Sequence, residues 1–142
     1  SEFGNLEKFI IQEYLKGIEF TVDFFAVNGK TINSVVRQRI KHKGVSLIGE
    51  VVHNEAVERF AQRFCLSFSI DGLNNVQIME YKNKLYILDF NPRPSGTIML
   101  SVNAGVDLLN NLLEKIYKQE ITVYDKPKKL KMIRYLREFY YE

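Results

Sequence analysis

One cysteine, three prolines, eight glycines and no tryptophan occur in the 142 residues. Cys65 can close no bridge within the chain, which suits a reducing compartment and leaves stability to the core. So little Pro and Gly argues against disorder. No apolar run approaches the ~20 residues of a bilayer span, and no charged-then-apolar leader opens the chain. A cytoplasmic protein without a membrane partner is expected. Internal repeats and low-complexity segments are missing, as are a Walker A loop, Gly-x-Gly-x-x-Gly, Cys/His zinc spacing and a Gly-x-Ser-x-Gly elbow. His42 and His53 have no partner pattern and read as surface histidines. Cys65 ends an apolar helical stripe and reads as a buried thiol, not a nucleophile.

What is present is a core. The composition is 46% hydrophobic and 13% aromatic, enough for one ordinary domain over residues 1–142 and too little for two. Residues 1–4 read as a foreign remnant ahead of a cut start. The net charge is only +3, and its basic excess gathers in Lys126–Lys131, "KPKKLK". That is a solvated loop, too local to imply nucleic acid.

Strand signals dominate the first half. "FIIQEY" from Phe9 to Tyr14 is strand-like, "LKG" turns, and "IEFTVDFFAV" alternates, with Phe20, Val22, Phe24 and Ala26 on a core face and Glu19, Thr21 and Asp23 on a polar one. Asn28-Gly29 predicts a two-residue hairpin with Thr31–Ile40 returning. "KHKGVSLIGEVV" is open between a loop and a short strand. Asn54 caps a helix through Phe64. Asn75–Glu80 and Leu85–Phe90 form a second hairpin around "YKNK". A short helix near Thr97 follows, then one capped by Asp107 with Leu109, Leu112, Leu113 and Ile116 inward, and a last strand over Lys131–Tyr141. The order predicts an α+β fold, an antiparallel β-sheet flanked by helices.

The chemistry concentrates in "LDFNPRPSG", Leu88–Gly96. Asp89 and Asn91 are two apart and share a strand face, expected to be that of Leu85 and Ile87. With an odd loop such as Lys82-Asn83-Lys84, Gln77 falls opposite Asp89 and Asn75 opposite Asn91; a two-residue loop throws Gln77 to the other face. In the first register the oxygens of Gln77, Asp89 and Asn91 converge, a donor set for a hard divalent cation completed by substrate phosphates. Arg93, stiffened by Pro92 and Pro94, offers a fork for phosphate or carboxylate. Ser95-Gly96-Thr97 opens a helix whose amides favour an anion. Ordinary turn chemistry gives the same residues a plainer reading. Solvent-facing alternation does so for Glu19, Asp23, Arg37 and Arg39.

"NVQ" at Asn75–Gln77 with "LDFNPRPSG", together with "IIQEYLKGIEFTVD" from Ile10 to Asp23 and "NAGVDL" at Asn103–Leu108, resembles the ATP-grasp superfamily, in its carbamoyl phosphate synthetase large-subunit-like branch. The resemblance implies a ligase that uses ATP to phosphorylate a carboxylate before an amine or similar nucleophile attacks the acyl phosphate. It implies ATP and Mg²⁺ or Mn²⁺ as cofactors, and small-molecule carboxylate and amine substrates. By position Gln77, Asp89 and Asn91 match metal ligands, and Arg93 an arginine near the transferred phosphate. Glu13, Tyr14 and Leu15 match the adenine hinge, and Glu19 the acid on the ribose. Arg37 and Arg39 match, more loosely, basic residues turned towards phosphate or substrate. Two departures stand out: Asp89 replaces the Glu of many relatives, and Gln77 is neutral where some branches have a carboxylate. The family's glycine-rich lid is expected ahead of Phe9, so the chain reads as the C-terminal half, inactive without its N-terminal remainder. A non-catalytic module that keeps this fold is the alternative.

Overall fold

Asn28 and Gly29 take φ values of 50° and 80°, the paired left-handed conformation that a two-residue hairpin turn requires. In the computed structural model, which describes residues 11–43, 45–135 and 137–142, this turn joins β1 (Ile18–Val27) to β2 (Lys30–Lys43). Further along come β3 (Val45–Val51), α1 (Glu55–Ser67), β4 (Gly72–Tyr81), β5 (Lys84–Asn91), α2 (Ile98–Asn103), α3 (Leu108–Ile116) and β6 (Lys131–Ile133). The six strands form an antiparallel sheet in the order β5-β4-β1-β2-β3-β6. The fold is α+β, as the pattern predicts. No described helix is long and apolar enough to cross a membrane.

Both faces of the sheet are covered. On one, Val57, Ala61 and Cys65 of α1 pack on Phe20, Val22, Phe24, Val76 and Ile78, and Asn54 caps α1 by accepting from the Val57 amide at 3.1 Å. On the other, Ile98, Leu100 and Leu108 of α2 and α3 pack on Phe25, Val35, Val51 and Leu73. The expectation of one core face and one polar face on β1 is therefore corrected. Period-two alternation marks the apolar side but does not say whether a helix also covers the polar one, and Phe25 closes that side beneath α2 and α3.

Other differences have local causes. Ile11–Tyr14 carry no regular structure, and Phe9 and Ile10 lie outside the described residues; β1 is already paired on both sides, so this segment has no ladder there to join. The ambiguous stretch is strand on both sides of Gly44, which is itself outside the described residues. The last strand shrinks to Lys131–Ile133, paired with Ile48–Glu50; of the remainder Leu136 lies outside the described residues, and the others have no ladder partner. Helix α3 keeps its expected face in part: Leu109 and Leu112 pack against the core, and the other two expected residues do not. Leu113 and Ile116 are 52% and 62% exposed, while Leu108, Asn111 and Glu114 are buried. Asn111 and Glu114 turn inward because they satisfy the main chain at Thr122: Asn111 Nδ2 donates to its carbonyl at 2.9 Å, and its amide donates to Glu114 Oε2 at 2.9 Å.

Candidate functional site

The second hairpin is closed by two residues, Lys82 and Asn83, both at positive φ, so the odd loop is corrected. The pairing between Gln77 and Asp89 nevertheless forms, because the register shifts between Ile78, which faces Ile87, and Gln77, which faces Asp89. Leu88 is the extra residue of a β-bulge, and a bulge changes the face of everything beyond it. Leu85 and Phe90 consequently both pack towards α1. Asp89 and Asn91 leave the face that the sequence spacing assigned them with Leu85 and Ile87 and join Gln77 and Asn75.

The sheet register then lays out the site. Across β2, β1, β4 and β5 one row reads Arg37, Thr21, Gln77, Asp89, and the next reads Val35, Asp23, Asn75, Asn91. With strands about 4.8 Å apart, such a row spans roughly 14 Å.

Arg37 and Asp23 are not solvent-facing. Their side chains are 4% and 0% exposed and form an ion pair at 2.8 Å. Arg37 Nη2 also donates to Ser95 Oγ at 2.8 Å, and Nη1 to Thr97 Oγ1 and to the Thr97 carbonyl. Asp23 Oδ2 accepts from Ser101 Oγ at 2.6 Å. The guanidinium that the sequence turned towards phosphate is thus spent from below on the Ser95–Thr97 turn. Helix α2 is only six residues long, with no side-chain cap at Thr97, so it has little dipole to offer an anion.

A cleft of about 210 Å³ opens above that turn, lined by Gln77, Asn91, Arg93, Arg39, Thr97 and Arg134, among others. Asp89 stands at its rim, exposed, with Oδ2 accepting from Asn91 Nδ2 at 2.7 Å. Asn75 Nδ2 donates to the Arg93 carbonyl at 2.8 Å, and the Arg93 amide donates to the Asn91 carbonyl at 2.8 Å. The arginine between the two prolines is therefore held by its main chain, while Nη1 donates to the Pro94 carbonyl at 3.1 Å. Arg39 forms an ion pair with Glu19, donates to Ser46 Oγ at 3.0 Å, and approaches Gln77 Oε1 at 3.5 Å.

Arg39 also lines a second groove with Tyr14, Leu15, Lys16, Gly17, Glu19 and Met79, so one guanidinium separates the two clefts. Glu13 and Tyr14 are exposed and Leu15 is half-buried. Gly17 is demanded by contact: a Cβ there would lie 2.0 Å from the Glu80 carbonyl oxygen. A larger cleft by α1, of about 370 Å³, has Ser34 bonded to Glu58 at 2.6 Å and His53 to the Pro127 carbonyl at 3.0 Å.

No group of three His, Cys, Asp or Glu that could hold a metal exists among the described residues. The Gln77, Asp89 and Asn91 donors carry one formal charge between them. They fit Mg²⁺ or Mn²⁺ only as a shared site, with anionic oxygens of a nucleotide completing the shell.

Sequence reasoning missed the Asp23–Arg37 pair and Arg134. Asp23 could have been suspected as a charge on a strand otherwise rich in Phe and Val. Arg134 gave no signal, since only the pairing of β6 with β3 brings it to the cleft.

The chain is 28% identical over 112 residues to the carbamoyl phosphate synthase large chain of Clostridium perfringens, a match covering 71% of this chain and 10% of that one. It therefore spans about a tenth of that relative. Among solved structures, the phosphoribosylaminoimidazole carboxylase ATPase subunit from Aquifex aeolicus superposes with a TM-score of 0.74 at 22% identity, over 93% of this chain and 45% of that one. The N5-carboxyaminoimidazole synthetase from Staphylococcus aureus, complexed with ADP, superposes with a TM-score of 0.68 at 16% identity, over 86% and 36%. Both likenesses concern the fold. A family model described as ATP-grasp in the biosynthetic pathway with Ter operon matches residues 5–139, and the chain belongs to this ATP-grasp family.

Proposed function

We propose that the chain is the C-terminal, nucleotide- and metal-binding half of a cytoplasmic ATP-dependent carboxylate–amine ligase that works through an acyl phosphate. The observation that carries this reading is the bulge-restored pairing of Gln77 with Asp89 and Asn75 with Asn91, which brings three amides into a cleft that also holds Arg93 and sets the Asp89 carboxylate beside them, bonded to Asn91. Gln77, Asp89 and Asn91 would hold Mg²⁺ or Mn²⁺, which when bound screens the phosphates and helps align them. Arg93 neutralises the transferred phosphoryl group, and its fixed main chain keeps the guanidinium in place. The groove at Tyr14 and Leu15 takes the base through main-chain groups, and Glu19 takes the ribose hydroxyls once Arg39 turns from it to the phosphates. Arg37 acts from beneath, fixing the Ser95–Thr97 turn.

The lid that covers the phosphates belongs to the remainder of the enzyme. The isolated chain should release no stoichiometric ADP from ATP and a carboxylate. Calorimetry on the whole protein tests the core of the reading: nucleotide binding that depends on Mg²⁺ is expected, and its absence would make the chain a non-catalytic module of the same fold.

A further inference from the structure

Two guanidiniums at the cleft, Arg93 and Arg134, have no carboxylate partner among the described residues. Arg37 is neutralised by Asp23, and Arg39 by Glu19. Asp89 at the rim leaves an excess of one positive charge, so the cleft is short of an anion before any metal arrives. Arg93 Nη1 donates to the Pro94 carbonyl, and Arg134 Nη2 to the Gly96 carbonyl. The two heads are thus anchored two residues apart on one turn, carbonyls separated by at most roughly 7 Å. Beside the second anchor there is room: a Cβ built on Gly96 would meet nothing within 4 Å.

The seat is also held from both sides. Arg37 grips Ser95 and Thr97 from beneath, while the Arg134 amide donates to the Leu47 carbonyl at 2.8 Å, tying it to the start of β3. Among the described residues each guanidinium spends one of its five donors on a carbonyl, which leaves four for a ligand. Two forks anchored on one turn suit a planar oxyanion taken by both.

We propose that Arg134, with Arg93 opposite, seats the carboxylate of the acceptor substrate above Gly96. This rests on the ligase reading, in which the phosphoryl group arrives from the Asn91 side and Arg93 is shared between the two reactants. The acceptor is then recognised by its reacting carboxylate through a residue of the C-terminal segment.

The test uses the full-length protein, with malonate as the carboxylate probe, inorganic phosphate as a second anion, and ADP with Mg²⁺ as the nucleotide. Binding is followed by calorimetry and by the arginine Nε–H signals in ¹⁵N spectra. Malonate should bind the ADP-loaded protein saturably. Arg134→Ala should weaken malonate roughly tenfold or more, the loss of a charge-assisted pair, and leave ADP affinity within about twofold. Arg134→Lys, which keeps the charge without the fork, should fall between. An unchanged malonate affinity in Arg134→Ala overturns the proposal. So does equal weakening of malonate and ADP, or a wild type that takes phosphate but no malonate. Malonate binding that depends on Arg134 in a protein unable to bind ADP would sustain the seat and remove the ligase reading instead.

Discussion

Gln77 faces Asp89 across β4 and β5 because Leu88 is one residue too many for the ladder. Without that bulge the two-residue turn at Lys82-Asn83 would set Leu88 opposite Gln77 and send Asp89 towards α1. In the whole protein, Asp89→Ala and Asn91→Ala should each lower affinity for ADP at saturating Mg²⁺ roughly tenfold or more. Thermal stability should hardly move, since surface changes of this kind cost at most about 0.5 kcal/mol. Calorimetry beside a melting curve separates the two effects; intact metal-dependent binding in Asp89→Ala would remove the carboxylate from the site.

The same bulge shows where the sequence stops being legible. Asn28-Gly29 names its own turn, because few residue pairs accept two positive φ values, and the cap at Asn54 is written in its side chain. Lys82 and Asn83 make an equivalent turn without the glycine, so the residues leave the loop length open. The bulge at Leu88, which no local pattern announces, restores the pairing that an odd loop would give. Asp23 and Arg37 looked like solvated alternation because helix coverage depends on residues some 60 positions later, at Ser95 and Thr97. Arg134 depends on a three-residue pairing at the sheet edge, which no propensity predicts.

Gly17 fixes the distance between the Tyr14–Leu15 groove and β4. Replacing it with Ala puts a methyl 2.0 Å from the Glu80 carbonyl oxygen, so the backbone has to move. We expect a loss of about 1–3 kcal/mol, the usual range for overpacking, and weaker binding of ADP with little change in the anion sites. A Gly17→Ala protein with unaltered urea midpoint and ADP affinity would show that the groove is not set by this contact.

Glu114 holds α3 to the Thr122 strap. The Thr122 hydroxyl, then its amide and the Asn111 and Asn110 side chains, lower the carboxyl from its ordinary 4.5 to about 2. A depressed folded-state pKa stabilises the fold above the unfolded value, and that contribution is lost as pH falls through the folded one. The urea midpoint should therefore decline as pH drops from about 4.5 towards about 2, and Glu114→Gln should flatten the decline over that window. An identical acid limb in the variant would contradict the assignment.

The Asp23–Arg37 pair separates stability from positioning. Removing one partner, as in Asp23→Leu, strands a buried charge and should cost about 3–5 kcal/mol, whereas Asp23→Leu with Arg37→Met replaces both by apolar groups and should recover most of it. The recovered protein still lacks the grip on Ser95 Oγ and Thr97 Oγ1 that Arg37 supplies. Its urea midpoint should approach wild type while binding of malonate and of ADP with Mg²⁺ both weaken, because the turn between Arg93 and Arg134 is no longer fixed. Binding restored along with stability would mean that the ion pair serves the core alone.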